Sequence, residues 1–323
     1  MTVIVCPKCS RKHRVDTSKI TQNRRQLVRC KVCDHRFPIH VAQKMVAEPA
    51  HPGVIEKRRN ARKIAVSLSK GGVGKTTTSV NLSAGLALAG YKVLLVDTDT
   101  QGQSSFMLGK KPKAGLTELL TGELTAEEAI ISARTNLSIL GGGRSLAGVK
   151  RIIDKKSFGS EWTLTEAMEG LDNKYDFIII DTSPGWDQLT VNVLFYATEV
   201  LTPVALEVMS LHGLAEFTKN LHAIQKYKPI NLNYILPTFL DTRIDQPLNI
   251  NRKLKSLYGD KVCQPIRYDE QLTRAPSHGK TIFEFVPDGH GATDYAALVR
   301  TIVNNNTILG GMPTKGETVI PCI

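Results

Sequence analysis

Ser69-Lys70-Gly71-Gly72-Val73-Gly74-Lys75-Thr76-Thr77 follows the apolar run Ile64 to Leu68 and precedes Thr78 to Ala89, whose spacing predicts a helix that stops at Gly90. Strand, glycine-rich loop and helix in that order make a phosphate-binding loop. The glycines let backbone N–H groups turn inward around β- and γ-phosphates at a helix N-terminus, where the dipole favours anions. Lys75 is then placed to neutralise phosphate oxygens, and the Thr76 hydroxyl to ligate Mg²⁺. Gly71, Gly72, Val73, Gly74, Lys75, Thr76 and Thr77 are the candidate nucleotide-binding positions.

Outward from the loop, short apolar runs alternate with helical stretches. The runs are Val93 to Val96, Leu137 to Leu140, Phe177 to Ile180, Val200 to Val204 and Tyr234 to Leu236. They contain few polar residues, as parallel strands buried on both faces do. An α/β fold follows, a doubly wound and mostly parallel sheet with its ligand at the C-terminal strand ends. Two runs deliver carboxylates to those ends: Val96-Asp97-Thr98-Asp99 and Ile180-Asp181-Thr182-Ser183-Pro184-Gly185. Four apolar residues leading to one acid have the form of a Walker B strand, with Asp181 holding Mg²⁺ through water, since this ion keeps much of its hydration shell. Pro237, just past the last run, completes the candidate cofactor contacts.

The generic pattern G-x-x-x-x-G-K-[ST] fails at its first position, which is Ser69, and a lysine stands before the double glycine instead. This variant resembles the deviant Walker A motif of the ParA/MinD class of P-loop ATPases. The resemblance runs from about residue 61 to 305 and implies an ATP-driven sandwich homodimer. In it Lys70 reaches across to the phosphates held by the other subunit. It also implies that Asp99 orients or activates the attacking water and that Asp97 supports the site near Mg²⁺. The chain departs from the family at Thr100 and Ser183, where proline is usual, and at Arg274, where glutamate commonly precedes Ala-Pro.

Within that class four functions compete. A cluster-bearing redox ATPase needs cysteines in the ATPase segment, which has only the isolated Cys263 and Cys322. A MinD-like surface ATPase needs a basic amphipathic C-terminal helix, which Gly310-Gly311-Met312-Pro313 argues against. A partition ATPase needs a surface for non-specific DNA, and Arg243, Arg252, Lys253, Lys255, Arg267, Arg274 and Lys280 are candidates in the C-terminal third. That reading implies a ParB-like partner that stimulates hydrolysis and a chromosome, plasmid or other large assembly as cargo. The fourth reading makes the N-terminal segment the recognition module and the ATPase its nucleotide switch.

That N-terminal segment carries Cys6-Pro7-Lys8-Cys9 and Cys30-Lys31-Val32-Cys33, a C-x2-C-x20-C-x2-C spacing that closes on one tetrahedral Zn²⁺. A unit of about 40 residues buries too little surface to fold alone, so the metal acts as its core. With four ligands in place no coordination position is open for substrate. The expected organisation is a zinc ribbon over 1–40, a linker over 41–60, the ATPase domain over 61–308 and a tail over 309–323. Residues 1–60 hold 14 Lys and Arg against 4 Asp and Glu, a surplus of +10 out of the chain's +12. Such a basic segment points to an acidic partner, nucleic acid being the commonest, or to a solvated linker. Neither a signal sequence nor a membrane-length apolar run is present. A cytoplasmic, nucleoid-associated protein is expected.

Overall fold

The computed structural model describes residues 2–6, 8–9, 11–15, 26–39, 60–156 and 158–308, in two compact units, Met1–Lys57 and Arg58–Ile323. The expected linker and tail lie almost entirely outside the described residues.

The first unit is two antiparallel hairpins, β1 (Thr2–Val5) with β2 (Lys12–Val15), and β3 (Gln26–Arg29) with β4 (Arg36–Ile39). Each turn carries one cysteine pair.

The second unit runs β5 (Arg62–Val66), α1 (Lys75–Leu88), β6 (Val93–Asp97), α2 (Gln103–Met107), α3 (Leu116–Thr121), α4 (Ala126–Ala129), β7 (Ile130–Arg134), β8 (Leu137–Leu140), α5 (Leu146–Asp154) and α6 (Thr163–Ala167). It continues with β9 (Phe177–Asp181), α7 (Gln188–Tyr196), β10 (Glu199–Ala205), α8 (Val208–Gln225), β11 (Asn231–Thr238), α9 (Asp245–Tyr258), α10 (Glu270–Arg274), α11 (Ile282–Phe285) and α12 (His290–Ile308). The sheet order is β11-β10-β5-β9-β6-β8-β7, all parallel except β7 against β8. No helix among the described residues is long and apolar enough to cross a membrane.

Strand residues alternate between two apolar layers, which is why the runs show so few polar positions. Ile64, Val66, Val93, Leu95, Phe177 and Ile179 pack with Val80, Leu82 and Leu86 of α1 and Tyr295, Leu298 and Ile302 of α12. Ala65, Leu94, Val96, Ile178 and Ile180 pack on the opposite face with Leu189 and Val193 of α7 and Phe217 and Leu221 of α8. The outer edge of β11 is partly closed by the segment that follows α9. Cys263 N–H donates to the Ile235 carbonyl (2.9 Å) and Ile266 N–H to that of Pro237 (2.9 Å).

One charged network ties the layers together. Arg62 donates from Nε and Nη2 to the Glu199 carboxylate (2.7 and 2.6 Å), from Nη1 to the Ile302 carbonyl (2.6 Å) and from Nη2 to Tyr234 Oη (2.9 Å). Arg62 and Glu199 are 6% and 7% exposed, so removing one partner leaves the other charged in a dry site. Arg62→Met is expected to cost about 3–5 kcal/mol, with much of it recovered in Arg62→Met/Glu199→Gln, as chemical denaturation would read. Equal stability of the single variant and the wild type would remove this role.

Candidate nucleotide site and zinc centre

The loop after β5 turns back on itself through Gly72 (φ 72°) and Gly74 (φ 88°), both in the left-handed region where a side chain is strained. Gly74 is the residue before α1, so the first-turn N–H groups of the helix face the loop's concavity. Lys75 lies inside the first turn, buried to 7% exposure, and its Nζ donates to the Lys70 carbonyl (2.7 Å). Burial pushes the Lys75 ammonium below its ordinary range, and the Asp181 and Asp99 carboxylates oppose that push. The loop is anchored from behind: Thr238 Oγ1 donates to the Val73 carbonyl (3.0 Å), and Gly185 N–H to that of Ser69 (2.8 Å).

Asp97 and Asp181 are register partners at the ends of β6 and β9, and both are fully buried. Burial raises both carboxyls above their ordinary range, and for Asp97 the neighbouring Asp181 charge adds to it. Hydrogen bonds from the Thr76, Ser79 and Ser104 side chains draw Asp181 back down; Ser79 Oγ lies at 2.9 Å and Ser104 Oγ at 3.1 Å. The donor set of carboxylate and hydroxyl oxygens fits a hard divalent cation such as Mg²⁺. Asp97 does different work. Its two oxygens accept the backbone N–H of Asp99 (2.9 Å) and Ser104 (3.0 Å), fixing the segment that presents Asp99. That segment is pressed from the other side by Gly142, where an added Cβ would fall 2.7 Å from the carbonyls of both Asp97 and Asp99.

A cleft of about 840 Å³ opens over this arrangement. The loop residues Gly71, Gly72, Gly74, Lys75, Thr76 and Thr77 line it together with Asp99. Val73, Asp97 and Asp181 are not among its lining residues, being buried behind it. Pro237 is not either: it sits inside β11, and the next two residues, Thr238 and Phe239, form the wall. Phe239 has φ 59°, uncommon for a residue with a side chain, and it lines the cleft together with Tyr268, Leu272 and Pro276 of the C-terminal segment. Ser79, Ser104, Gly142 and Phe239 were all missed by sequence reasoning.

Lys70 lies apart. Its ammonium is ion-paired with Glu207 and donates to Ser210 Oγ (3.3 Å), and it does not line the cleft of its own chain. Both partners come from the start of α8, so the two lysines of one loop point to different elements.

The basic candidates divide. Arg252, Lys253 and Lys255 are exposed on α9, and Arg274 and Lys280 are exposed further on. Arg243 is exposed but forked onto Asp241 (2.7 Å). Arg267 departs from expectation: its guanidinium grips Asp294 (2.8 Å), which is 1% exposed, so it anchors the start of α12 and is poorly placed as a free surface cation.

In the first unit the Cys6, Cys9, Cys30 and Cys33 sulfurs all lie within 4.8 Å of one another. Cys6 Sγ is 3.6 Å from Cys33 Sγ, and Cys9 Sγ is 3.6 Å from Cys30 Sγ. That is far beyond a disulfide and close to the roughly 3.8 Å edge of a ZnS₄ tetrahedron with Zn–S near 2.3 Å. The two turns match: Cys6 N–H donates to the Arg11 carbonyl (3.0 Å) and Cys30 N–H to that of His35 (2.9 Å). Val32 N–H points at Cys30 Sγ (3.4 Å), as suits a thiolate ligand. The cluster fits zinc.

Comparison with known proteins agrees with both units. Residues 61–234 match the family described as AAA domain, and residues 3–38 match a zinc-ribbon domain. The sporulation initiation inhibitor protein Soj of Bacillus subtilis is 36% identical over 251 residues, covering 75% of this chain and 98% of that one. The chromosome-partitioning ATPase Soj of Thermus thermophilus is 34% identical, covering 76% and 97%. Among solved structures, cobyrinic acid a,c-diamide synthase from Mycobacterium smegmatis, with bound ATP analogue and magnesium, superposes with a TM-score of 0.67. It is 28% identical, over 79% of this chain and 99% of that one.

Proposed function

Because the chain belongs to the Soj/ParA family of AAA-domain partitioning ATPases, we propose that it is a Mg²⁺-dependent ATPase that closes into a homodimer on ATP. The dimer binds DNA without sequence preference and is released when a ParB-like partner speeds hydrolysis to ADP and phosphate, which positions a cargo. The loop N–H groups and Lys75 bind the triphosphate. Thr76 and, through water, Asp181 would hold the Mg²⁺, which would supply positive charge to the phosphate oxygens. Asp99 orients the water, and Asp97 fixes the backbone on which Asp99 stands. The zinc centre is structural.

The observation that carries this reading is the placement of Lys70. A loop lysine that does not line its own cleft and is ion-paired with Glu207 can exchange that partner for an anion presented by a second copy. Lys70→Ala is therefore expected to keep ATP binding through Lys75 and to lose ATP-dependent dimerisation. Sedimentation velocity with Mg²⁺-ATP and Mg²⁺-ADP measures this. A variant that dimerises as the wild type does would rule the trans role out.

A further inference from the structure

We propose that the zinc ribbon is a second, nucleotide-independent contact for the phosphodiester backbone of duplex DNA. Residues 1–40 hold 10 Lys and Arg against 2 Asp, a surplus of +8. The four thiolates and one Zn²⁺ contribute −2. Neutralising the metal centre therefore accounts for only a small part of the positive charge.

The placement of those charges supports a ligand. Lys8 stands in the first cysteine turn and Lys31 in the second, and the sulfurs that close both turns meet at one centre. Lys8, Arg11, Lys12, Arg29, Lys31 and Arg36 are all exposed. Arg29 and Arg36 are cross-strand partners in β3 and β4, which sets two cations side by side at the start of the second cysteine turn. Among the described residues of this unit the one acid is Asp34, and it is taken up by Arg29. Exposed cations carried on both cysteine turns and on the strand ends beside them match a run of phosphates.

The test uses the zinc-loaded full-length protein in Mg²⁺-ADP, with a labelled random duplex at low salt, read by fluorescence anisotropy. The comparison is Lys8→Gln/Arg11→Gln/Lys12→Gln/Lys31→Gln/Arg36→Gln, with zinc content as the check on folding. The wild type is expected to bind with a log–log salt slope of about 3 to 4, from some four contacts at about 0.9 each. The variant should bind at least tenfold more weakly, with a shallower slope. The additional binding on exchanging ADP for ATP reports the ATPase domain separately and should persist in the variant. The proposal is overturned if the ADP form of the wild type does not bind, or if the zinc-loaded variant binds equally well. Tighter binding of phosphatidylglycerol vesicles or single-stranded RNA than of the duplex at the same salt would also overturn it. Should the fivefold variant lose its zinc, Lys8→Gln/Arg11→Gln, both outside every strand, decides: an unchanged affinity rejects the proposal and a clear loss upholds it.

Discussion

Asp99→Ala is expected to bind ATP and dimerise while hydrolysing it at least about 100-fold more slowly, the lower end of what a positioned general base or water-orienting group contributes. Asp99 lines the cleft together with the loop residues, Asp269 lines it from the C-terminal segment, and Asp97 and Asp181 are sealed behind it. Its backbone is fixed by Asp97, and its own Oδ1 accepts the Gln101 N–H (2.9 Å), so the carboxylate is held at the mouth of the site. Removing it takes away no phosphate ligand and no metal ligand, so ground-state binding should survive. Single-turnover hydrolysis and gel filtration in Mg²⁺-ATP measure the two halves of the expectation. Near wild-type turnover by the alanine variant would end the assignment. The same variant, held in its ATP-bound dimer, is the form with which to capture a stimulating partner.

Removing zinc should have a larger thermodynamic effect on a smaller part of the chain. The first unit is four four-residue strands in two hairpins, and Cys6 and Cys30 are buried where the two cysteine turns meet. Metal binding in such units is folding free energy, on the order of 10–16 kcal/mol for structural zinc. Cys30→Ser, or a strong chelator on the wild type, is expected to abolish protease resistance of residues 1–40. ATP binding and the melting of the second unit, which has its own core, should be retained. Zinc content by mass spectrometry and limited proteolysis check this together. A metal-free ribbon that still resists protease would show that the hairpins hold without it.

The legible parts of the fold and site are those whose chemistry needs contiguous residues. Phosphate binding needs backbone N–H groups in sequence, so the stretch from Ser69 to Thr77 could be read directly, and so could acids placed immediately after apolar strands. The six apolar runs all fall on strands, yet the first strand is Arg62–Val66, two residues earlier than its run. Leu68 is apolar because it is buried in the core near the loop, and Arg62 belongs to the strand although charged, because Glu199 awaits it. Helix α1 likewise begins at Lys75, ahead of the apolar periodicity, because its first turn faces phosphate chemistry and not the core. The strand β7 escaped notice because its residues are mostly half-buried and carry no continuous apolar pattern. Ser104, Glu207 and Phe239 join the loop only through the crossing connections of the sheet, and Ser79, although it follows the loop in α1, acquires its role only from Asp181, 102 residues away, which spacing cannot reveal. Arg267 looked like any surface cation until its partner, 27 residues away, came into view.

The borders of the sheet also constrain how copies of this chain can meet. On one side β11 has its outward carbonyls at Ile235 and Pro237 occupied by residues 263 and 266. On the other, β7 is five residues long, irregular between Ser132 and Arg134, and ends on an arginine. Short, kinked or covered margins of this sort discourage ribbon-to-ribbon annealing. Growth into fibres by continuous ladder extension is thereby disfavoured, and the proposed ATP-driven pairing is left to side chains and the nucleotide, contacts that hydrolysis can undo.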